Sequence, residues 1–365
     1  QPQGDDGDDQ KVLNILYYNS WLHDLFYLLG FREEDGSFGG SHPADPVDAR
    51  AHSGSVWGTA NMLTPPAGSS PTMNMGLVTS TNRHTAFDAS VVFHEYMHGV
   101  TNRLVGGPMN THALETPQSK AMGEGWGDYL ACTLSGKPTV GDWVTQKPGG
   151  IRSHPYDENY PGTYGQIGTG IYTQVHRVGE IWCATLLALN RNLDAKLGSP
   201  RGQRLALQLV VDALKLSPAN PNMLDMRDSI LRAFDQLRSG ALAPPADQRE
   251  EVLAAIWAAF ARFGMGVNAR SEAGDFGNIT EDFTPGVAIP AEDGPRPGTG
   301  TGTGTGTGPV EPTQPGSVET VRLQDRVAAE IPDADPDGLR RSLRVDRAGR
   351  VRSATVKLDI SHPYA

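Results

Sequence analysis

The segment His94-Glu95-Tyr96-Met97-His98 has the residue types and the spacing of a metal site on a helix. Two histidines four residues apart lie about one helical turn apart on one face, so both imidazoles can reach one ion. Glu95 lies about 100° around the helix from His94, where its carboxylate can hold a water beside the metal. The pattern predicts a hydrolytic zinc site, and the alternative is a surface helix that happens to carry two histidines.

A catalytic zinc usually has three protein ligands, so one more must come from a second element. The metzincin arrangement would place a glycine at position 101 and a histidine at position 104, which are Thr101 and Leu104 in this chain. That class is therefore excluded. A glutamate on a second helix is the remaining solution, and Glu124 offers one at the start of an apolar helical segment.

Asp128 follows Glu124 by one helical turn and shares its face. There its carboxylate can accept the second ring N–H of a metal-bound histidine, which fixes the orientation of that ligand. Taken without the histidine motif, Glu124 would only complement the helix dipole and Asp128 would be a solvated surface residue. Together, the two motifs favour a metal site.

The two motifs HEYMHGVTNRLVGG and MGEGWGDYLA resemble those of the fungalysin family of secreted zinc metalloendopeptidases, which are relatives of thermolysin. Further segments resemble family patterns in family order over roughly residues 11 to 275: Asn61–Pro66 with Met73–Leu77, Gly150–Tyr156, Val175–Trp182, Met226–Asp228, Ile256–Trp257 and Phe263–Gly264. The resemblance implies an α+β, thermolysin-like fold with two lobes and an enzyme that cuts internal peptide bonds of proteins. It also implies a preference for a hydrophobic residue after the cut.

By this resemblance, one catalytic Zn²⁺ would be bound by His94, His98 and Glu124. Glu95 would be the general base and acid, and Asp128 would orient a ligand histidine. His176 would donate to the oxyanion of the transition state, a role that suits a positioned N–H donor. A histidine at the start of a helix can also simply pack or cap, and that alternative stays open for His176.

The resemblance also implies substrate-binding residues. Ala60 and Asn61 resemble the edge strand that pairs with the substrate backbone, a form of β-augmentation. Arg152 is a candidate for binding a substrate carbonyl, with a structural ion pair as the alternative.

The chain departs from the thermolysin pattern at several positions, two of which concern the stabilisation of the oxyanion. Ile171 stands where an acidic residue would precede His176, and no tyrosine lies between His98 and Glu124. A tyrosine that assists the oxyanion would therefore have to be one of four candidates, among which the sequence does not choose: Tyr156, Tyr160, Tyr164 and Tyr172.

Hydrophobic periodicity predicts helices over residues 11–30, 88–103, 121–134, 174–190, 201–216, 223–237 and 248–263, with a strand starting at Met73. These elements give an α+β catalytic domain over residues 1–290, with lobes of about 1–105 and 106–290. The Thr-, Gly- and Pro-rich residues 291–319 are typical of a solvated linker. Residues 320–365 alternate as in β-strands and are similar to the first part of a P-domain, a truncated β-sandwich fragment.

The 365-residue composition excludes several classes of protein. The net charge is −11, which argues against nucleic acid or an anionic membrane as the main partner, and no apolar run is long enough to span a bilayer. The chain begins at Gln1 without a signal peptide, so we expect that any targeting segment or pro-segment has been removed. The family resemblance implies a secreted protein that is made with an inhibitory N-terminal propeptide. The two cysteines fit one disulfide or two buried thiols equally well.

Other residues have less specific interpretations. The acidic residues Asp5, Asp6, Asp8 and Asp9 form either a solvated tail or part of a structural Ca²⁺ site. Five of the tryptophans are expected in the core: Trp57, Trp126, Trp143, Trp182 and Trp257.

Two other classes of function stay open beside an endopeptidase. The first is an inactive, zinc-stabilised protein that only holds peptides, which the intact Glu95 argues against. The second is an exopeptidase, which would need a group that captures a peptide terminus.

Overall fold

The computed structural model describes residues 8–39, 45–272 and 274–290. The predicted linker 291–319, the predicted β-sandwich fragment 320–365 and the acidic side chains of the first nine residues lie outside the described part. None of the described helices is long and apolar enough to cross a bilayer.

Helices dominate the described chain, and each of the seven helices predicted from the sequence is present. The helices are α1 (Asp8–Leu28), α2 (Ala89–Leu104), α3 (Pro117–Ser135), α4 (Asp142–Thr145), α5 (Val175–Leu197), α6 (Arg201–Leu216), α7 (Met223–Gln236) and α8 (Arg249–Arg262). The strands are β1 (Asp48–Ala51), β2 (Ala60–Leu63), β3 (Thr72–Met75), β4 (Leu77–Val78), β5 (Arg83–His84), β6 (Arg270–Ser271) and β7 (Ile279–Thr280). The fold class is therefore α+β, as predicted.

The ends of α2 and α3 are set by local chemistry. Asp88 caps α2, because its carboxylate accepts the backbone N–H of Ser90 at 3.2 Å. Pro117 begins α3 at a position where a missing N–H costs nothing, and Gly136 ends it in the left-handed conformation at φ 68°. Both helices that carry the predicted zinc ligands thus have defined starts.

A three-stranded sheet in the order β1-β3-β2 lies beside α2. Strand β2 is antiparallel to β3, with Ala60 opposite Met75, whereas β1 is parallel to β3. Within the described residues β2 pairs on one side only, so it is an edge strand of this sheet. Met62 of β2 packs so closely against α2 that a β-carbon on Gly99 would lie 2.8 Å from its Cε.

The main helical core forms where α3 packs on α5. A β-carbon added to Gly125 would lie 2.5 Å from the carbonyl oxygen of Gly179, so the two helix backbones approach each other closely there. Trp126 and Trp182 meet edge to face next to this contact, with ring centroids 6.0 Å apart. The close contact holds the segment that carries Glu124 against the first turns of α5.

The expectation that five tryptophans are buried is wrong for two of them. Trp57 is 87% exposed and Trp143 is 40% exposed. Trp57 lies in the loop just before β2, where no core element covers it, whereas Trp126, Trp182 and Trp257 are fully buried. Cys132 and Cys183 are buried free thiols on α3 and α5.

Candidate active site

The three predicted metal ligands converge between α2 and α3. His94 Nε2 lies 3.1 Å from His98 Nε2 and 3.3 Å from Glu124 Oε2, and His98 Nε2 lies 3.8 Å from Glu124 Oε1. His94 is buried, while His98 and Glu124 are partly accessible. The site is therefore open on the side of His98 and Glu124.

The geometry of these three side chains fits a zinc ion. Ligand atoms about 2.1 Å from a tetrahedral zinc are about 3.4 Å from each other, which matches the distances between the three pairs. In the described part of the chain, this trio is also the one group of three histidine, cysteine or acidic side chains compact enough to hold a metal. Two nitrogens and one carboxylate oxygen form a donor set that zinc prefers.

Asp128 fixes the orientation of His94. Its Oδ1 atom accepts a hydrogen bond from His94 Nδ1 at 2.8 Å, so the lone pair of Nε2 faces the other two ligands. Burial disfavours the charged form of Asp128, but the Arg152 guanidinium and His94 outweigh it and hold its pKa well below the usual range. The Asp128 carboxyl group therefore stays ionised and accepts the hydrogen bond from His94.

Arg152 forms an ion pair with Asp128. Its Nε and Nη2 atoms donate to the two carboxylate oxygens at 2.6 and 2.9 Å, and Nη2 is 3.7 Å from Glu124 Oε2. Only 8% of the Arg152 side chain is exposed. The structural ion pair that the sequence left as an alternative is present, and the guanidinium also borders the metal site.

Glu95 is buried beside the ligands, with 6% of the residue exposed. Burial raises the pKa of its carboxyl group to about 7, which the neighbouring His94 and the Arg152 guanidinium partly offset. A carboxyl group with a pKa near neutral pH can both take and return a proton, which is what a general base and acid requires.

His176 reaches the same site from the first turn of α5. Its Nε2 atom lies 3.4 Å from Glu124 Oε2, while Nδ1 contacts the Gln174 side-chain oxygen at 3.1 Å. Half of the imidazole is exposed, and its burial lowers its pKa. Because the Gln174 oxygen can only accept, the proton of a neutral ring lies on Nδ1. The protonated ring carries an N–H on both nitrogens and can then donate from Nε2 to a ligand in the open site.

Strand β2 holds the predicted substrate-binding residues Ala60 and Asn61. The amide of Asn61 is fixed on both sides: its oxygen accepts from Asn74 Nδ2 at 2.9 Å, and its nitrogen donates to the Trp57 carbonyl at 2.9 Å. Since β2 is an edge strand beside α2, its free side can accept another strand.

Two of the four candidate tyrosines contact carboxylates other than that of Glu124. Tyr156 Oη donates to Asp128 Oδ2, and Tyr160 Oη lies 3.4 Å from Glu180 Oε2. Glu180 was not singled out in the sequence, although an acidic residue within the apolar run Val178–Trp182 was a visible signal. It is fully buried on α5, one turn after His176.

Comparison with known proteins identifies a family and several relatives of the chain. The fungalysin metallopeptidase (M36) family model matches residues 2–269. The chain is 35% identical over 294 residues to an extracellular metalloproteinase MEP of Neosartorya fischeri, covering 72% of this chain and 44% of that protein. It is 36% identical over 297 residues to an extracellular metalloproteinase of Aspergillus flavus, covering 73% and 45%.

The chain spans less than half the length of these relatives. The family match nevertheless includes both helices that carry the predicted ligands, as well as the edge strand and the start of α5. The chain belongs to the fungalysin metallopeptidase family.

Proposed function

We propose that this chain is the catalytic part of a secreted, zinc-dependent metalloendopeptidase that hydrolyses internal peptide bonds of proteins. The observation that carries the proposal is the convergence of His94, His98 and Glu124 within ligand distance of one another, with Glu95 buried next to them. Structural zinc sites usually fill all four positions with protein ligands. Three ligands beside an acid–base residue favour catalysis.

The residues would divide the reaction among them. When bound, the zinc ion would polarise the scissile carbonyl and make a water easier to deprotonate. Glu95 would take a proton from that water and deliver it to the leaving amine. Asp128 would hold the His94 ring in place through the hydrogen bond to Nδ1.

His176 would stabilise the developing oxyanion, because its Nε2 faces the open side of the site next to Glu124. The backbone of Ala60 and Asn61 would pair with the substrate strand. Arg152 would contact a substrate carbonyl in addition to Asp128, which suits a guanidinium with five N–H donors. We also propose a preference for a hydrophobic residue after the cut, which rests on the family alone.

The domain organisation belongs to the same proposal. Two lobes of about 1–105 and 106–290 are supported by the distribution of elements, since the three-stranded sheet lies in the first and the α3–α5 core in the second. A linker over 291–319, a P-domain-like fragment over 320–365, a structural calcium ion and an inhibitory propeptide rest on sequence alone. Secretion is supported by relatives named extracellular metalloproteinases.

The experiment that tests this function combines metal analysis with proteolysis. The purified chain should contain about one zinc, cut an unstructured protein such as casein at internal bonds, and lose this activity with 1,10-phenanthroline. Restored cleavage after zinc is added back would separate metal loss from unfolding. Zinc without any cleavage would favour the peptide-binding alternative, and release of terminal residues only would favour an exopeptidase.

A further inference from the structure

Glu180 is a buried carboxylate that the proposed chemistry does not use. It has no exposed surface, and it lies on α5 one turn after His176. Its oxygens accept hydrogen bonds from Arg177 Nη1 at 2.7 Å and from the Ser153 backbone N–H at 3.1 Å. The Ser153 hydroxyl donates to the same carboxylate, and Tyr160 Oη lies 3.4 Å away.

These contacts join two separate parts of the chain. Arg177 lies on the same helix as Glu180, but Ser153 and Tyr160 belong to the long segment between α4 and α5. Burying a carboxylate is costly, and well-packed apolar residues often stabilise a core as well as a buried ion pair does. A fully buried glutamate with several donors therefore suggests a role in fixing one particular geometry.

The segment that Glu180 holds carries Arg152. Arg152 and Tyr156 both bind Asp128 on α3, while Ser153 between them binds Glu180 on α5. The segment is thus anchored on two helices at once. Arg191 of α5 also donates to the Tyr156 carbonyl at 3.3 Å, so the Ser153 contact is the anchor on the His176 helix that lies nearest in sequence to Arg152.

We propose that Glu180 is a positioning residue: through Ser153, it sets the placement of the Arg152 segment relative to His176, so that both face the substrate together. The inference rests on the proposed peptidase function. It assigns Glu180 no contact with substrate or metal. Its effect on the reaction passes through Ser153, the residue next to Arg152.

The first test replaces the pair Glu180 and Arg177 with leucine, which removes both charges and leaves no unpaired ion in the core. We expect about one zinc per chain and a lower unfolding temperature, because the Ser153 N–H and hydroxyl lose their acceptor. Measured well below that temperature, kcat/KM for an internally quenched peptide should fall about 10- to 100-fold. A purely structural role would leave kcat/KM within about twofold, which would overturn the proposal.

A second variant pair tests the step through Ser153 and stays informative if the leucine variant does not fold. Ser153→Ala removes the hydroxyl contact and keeps the backbone N–H contact, so we expect kcat/KM to fall several-fold. Ser153→Thr keeps a hydroxyl and should restore it. Ser153→Ala should also cause no further loss when added to the leucine variant, because the two act through one contact. Equal activity of all Ser153 variants would overturn the proposal.

A matched control comes from a buried carboxylate outside the site. Asp228 on α7 is 4% exposed and accepts from Arg227 Nε at 2.8 Å. Asp228→Asn should change the unfolding temperature and leave kcat/KM unchanged well below that temperature. If the original protein cuts no peptide at all, the proposed function fails; if it is active and the Glu180 and Ser153 variants are equally active, only this inference fails.

Discussion

Gly127 and His94 are so close that no side chain fits between them. A β-carbon on Gly127 would lie 2.5 Å from His94 Nδ1, the atom that is hydrogen bonded to Asp128 at 2.8 Å. Since α3 is packed firmly on α5, the imidazole would have to move to relieve the contact. The absence of a side chain at position 127 therefore allows His94 to keep the orientation that a zinc ligand needs.

Gly127→Ala should weaken zinc binding. The methyl group displaces the His94 ring and breaks its hydrogen bond to Asp128, and the loss of such a supporting contact typically costs about 10- to 100-fold in metal affinity. Competition with a zinc chelator of known affinity measures the change.

Gly123→Ala is the matched control on the same helix. Its β-carbon would lie 3.8 Å from His98 Nδ1, an ordinary contact, so zinc affinity should stay the same. Helix stability should rise slightly, because alanine favours helices over glycine by about 1 kcal/mol. Equal zinc affinity of the Gly123 and Gly127 variants would contradict the steric argument.

Asp128→Asn tests whether the negative charge of Asp128 is needed to orient His94 for zinc binding. Asparagine has nearly the same shape but removes the carboxylate that accepts from His94 and pairs with Arg152. We expect zinc affinity to fall about 10- to 100-fold. Peptidase activity should then recover at high zinc concentration. Isothermal titration with zinc gives the affinity, and an unchanged value would mean that Asp128 only pairs with Arg152.

Gly125→Ala should destabilise the core of the protein. The added β-carbon would lie 2.5 Å from the Gly179 carbonyl oxygen and 2.9 Å from Trp182 Cβ, so α3 and α5 would have to move apart. Overpacking of this kind typically costs about 1–3 kcal/mol of unfolding free energy. Urea denaturation measures it, and a variant as stable as Gly123→Ala would contradict the close helix contact.

Asp212 should make the stability of the fold depend on pH. Burial raises the pKa of this carboxyl group above its usual value, despite a hydrogen bond from Gln208 Nε2 at 2.8 Å. The folded state therefore binds its proton more tightly than the unfolded state, so this group reduces stability as pH rises from the unfolded-state pKa through the folded-state pKa. Asp212→Asn should raise the unfolding temperature at pH 7 and lose that advantage near pH 3.

The convergence of His94, His98 and Glu124 could be predicted from the sequence because the spacing within each motif is local. His94 and His98 share a helical turn, and Glu124 shares a face with Asp128 on the next helix, so helical periodicity alone relates the members of each pair. Their convergence needs only that α2 and α3 pack together, and the structure brings the two helices into contact.

Other parts of the site depend on contacts between distant segments. The sequence did not reveal that Arg152 and Tyr156 both bind Asp128, or that Ser153 binds Glu180. Arg152, Ser153 and Tyr156 belong to a segment without regular structure, so no periodicity relates them to α3 or α5. Helix ends also differed: α5 continues to Leu197, past the predicted end at 190, because charged residues on its exposed face hid the continuing apolar positions.

The central claim is that Glu95 moves the proton in a zinc-dependent hydrolysis. The most direct measurement is kcat/KM of Glu95→Gln for an internally quenched peptide, with zinc content determined on the same sample. The account predicts about one zinc per chain and a kcat/KM lowered by about 10²- to 10⁴-fold, since glutamine keeps the shape but cannot accept the proton. Full turnover by a zinc-loaded Glu95→Gln variant would contradict the account.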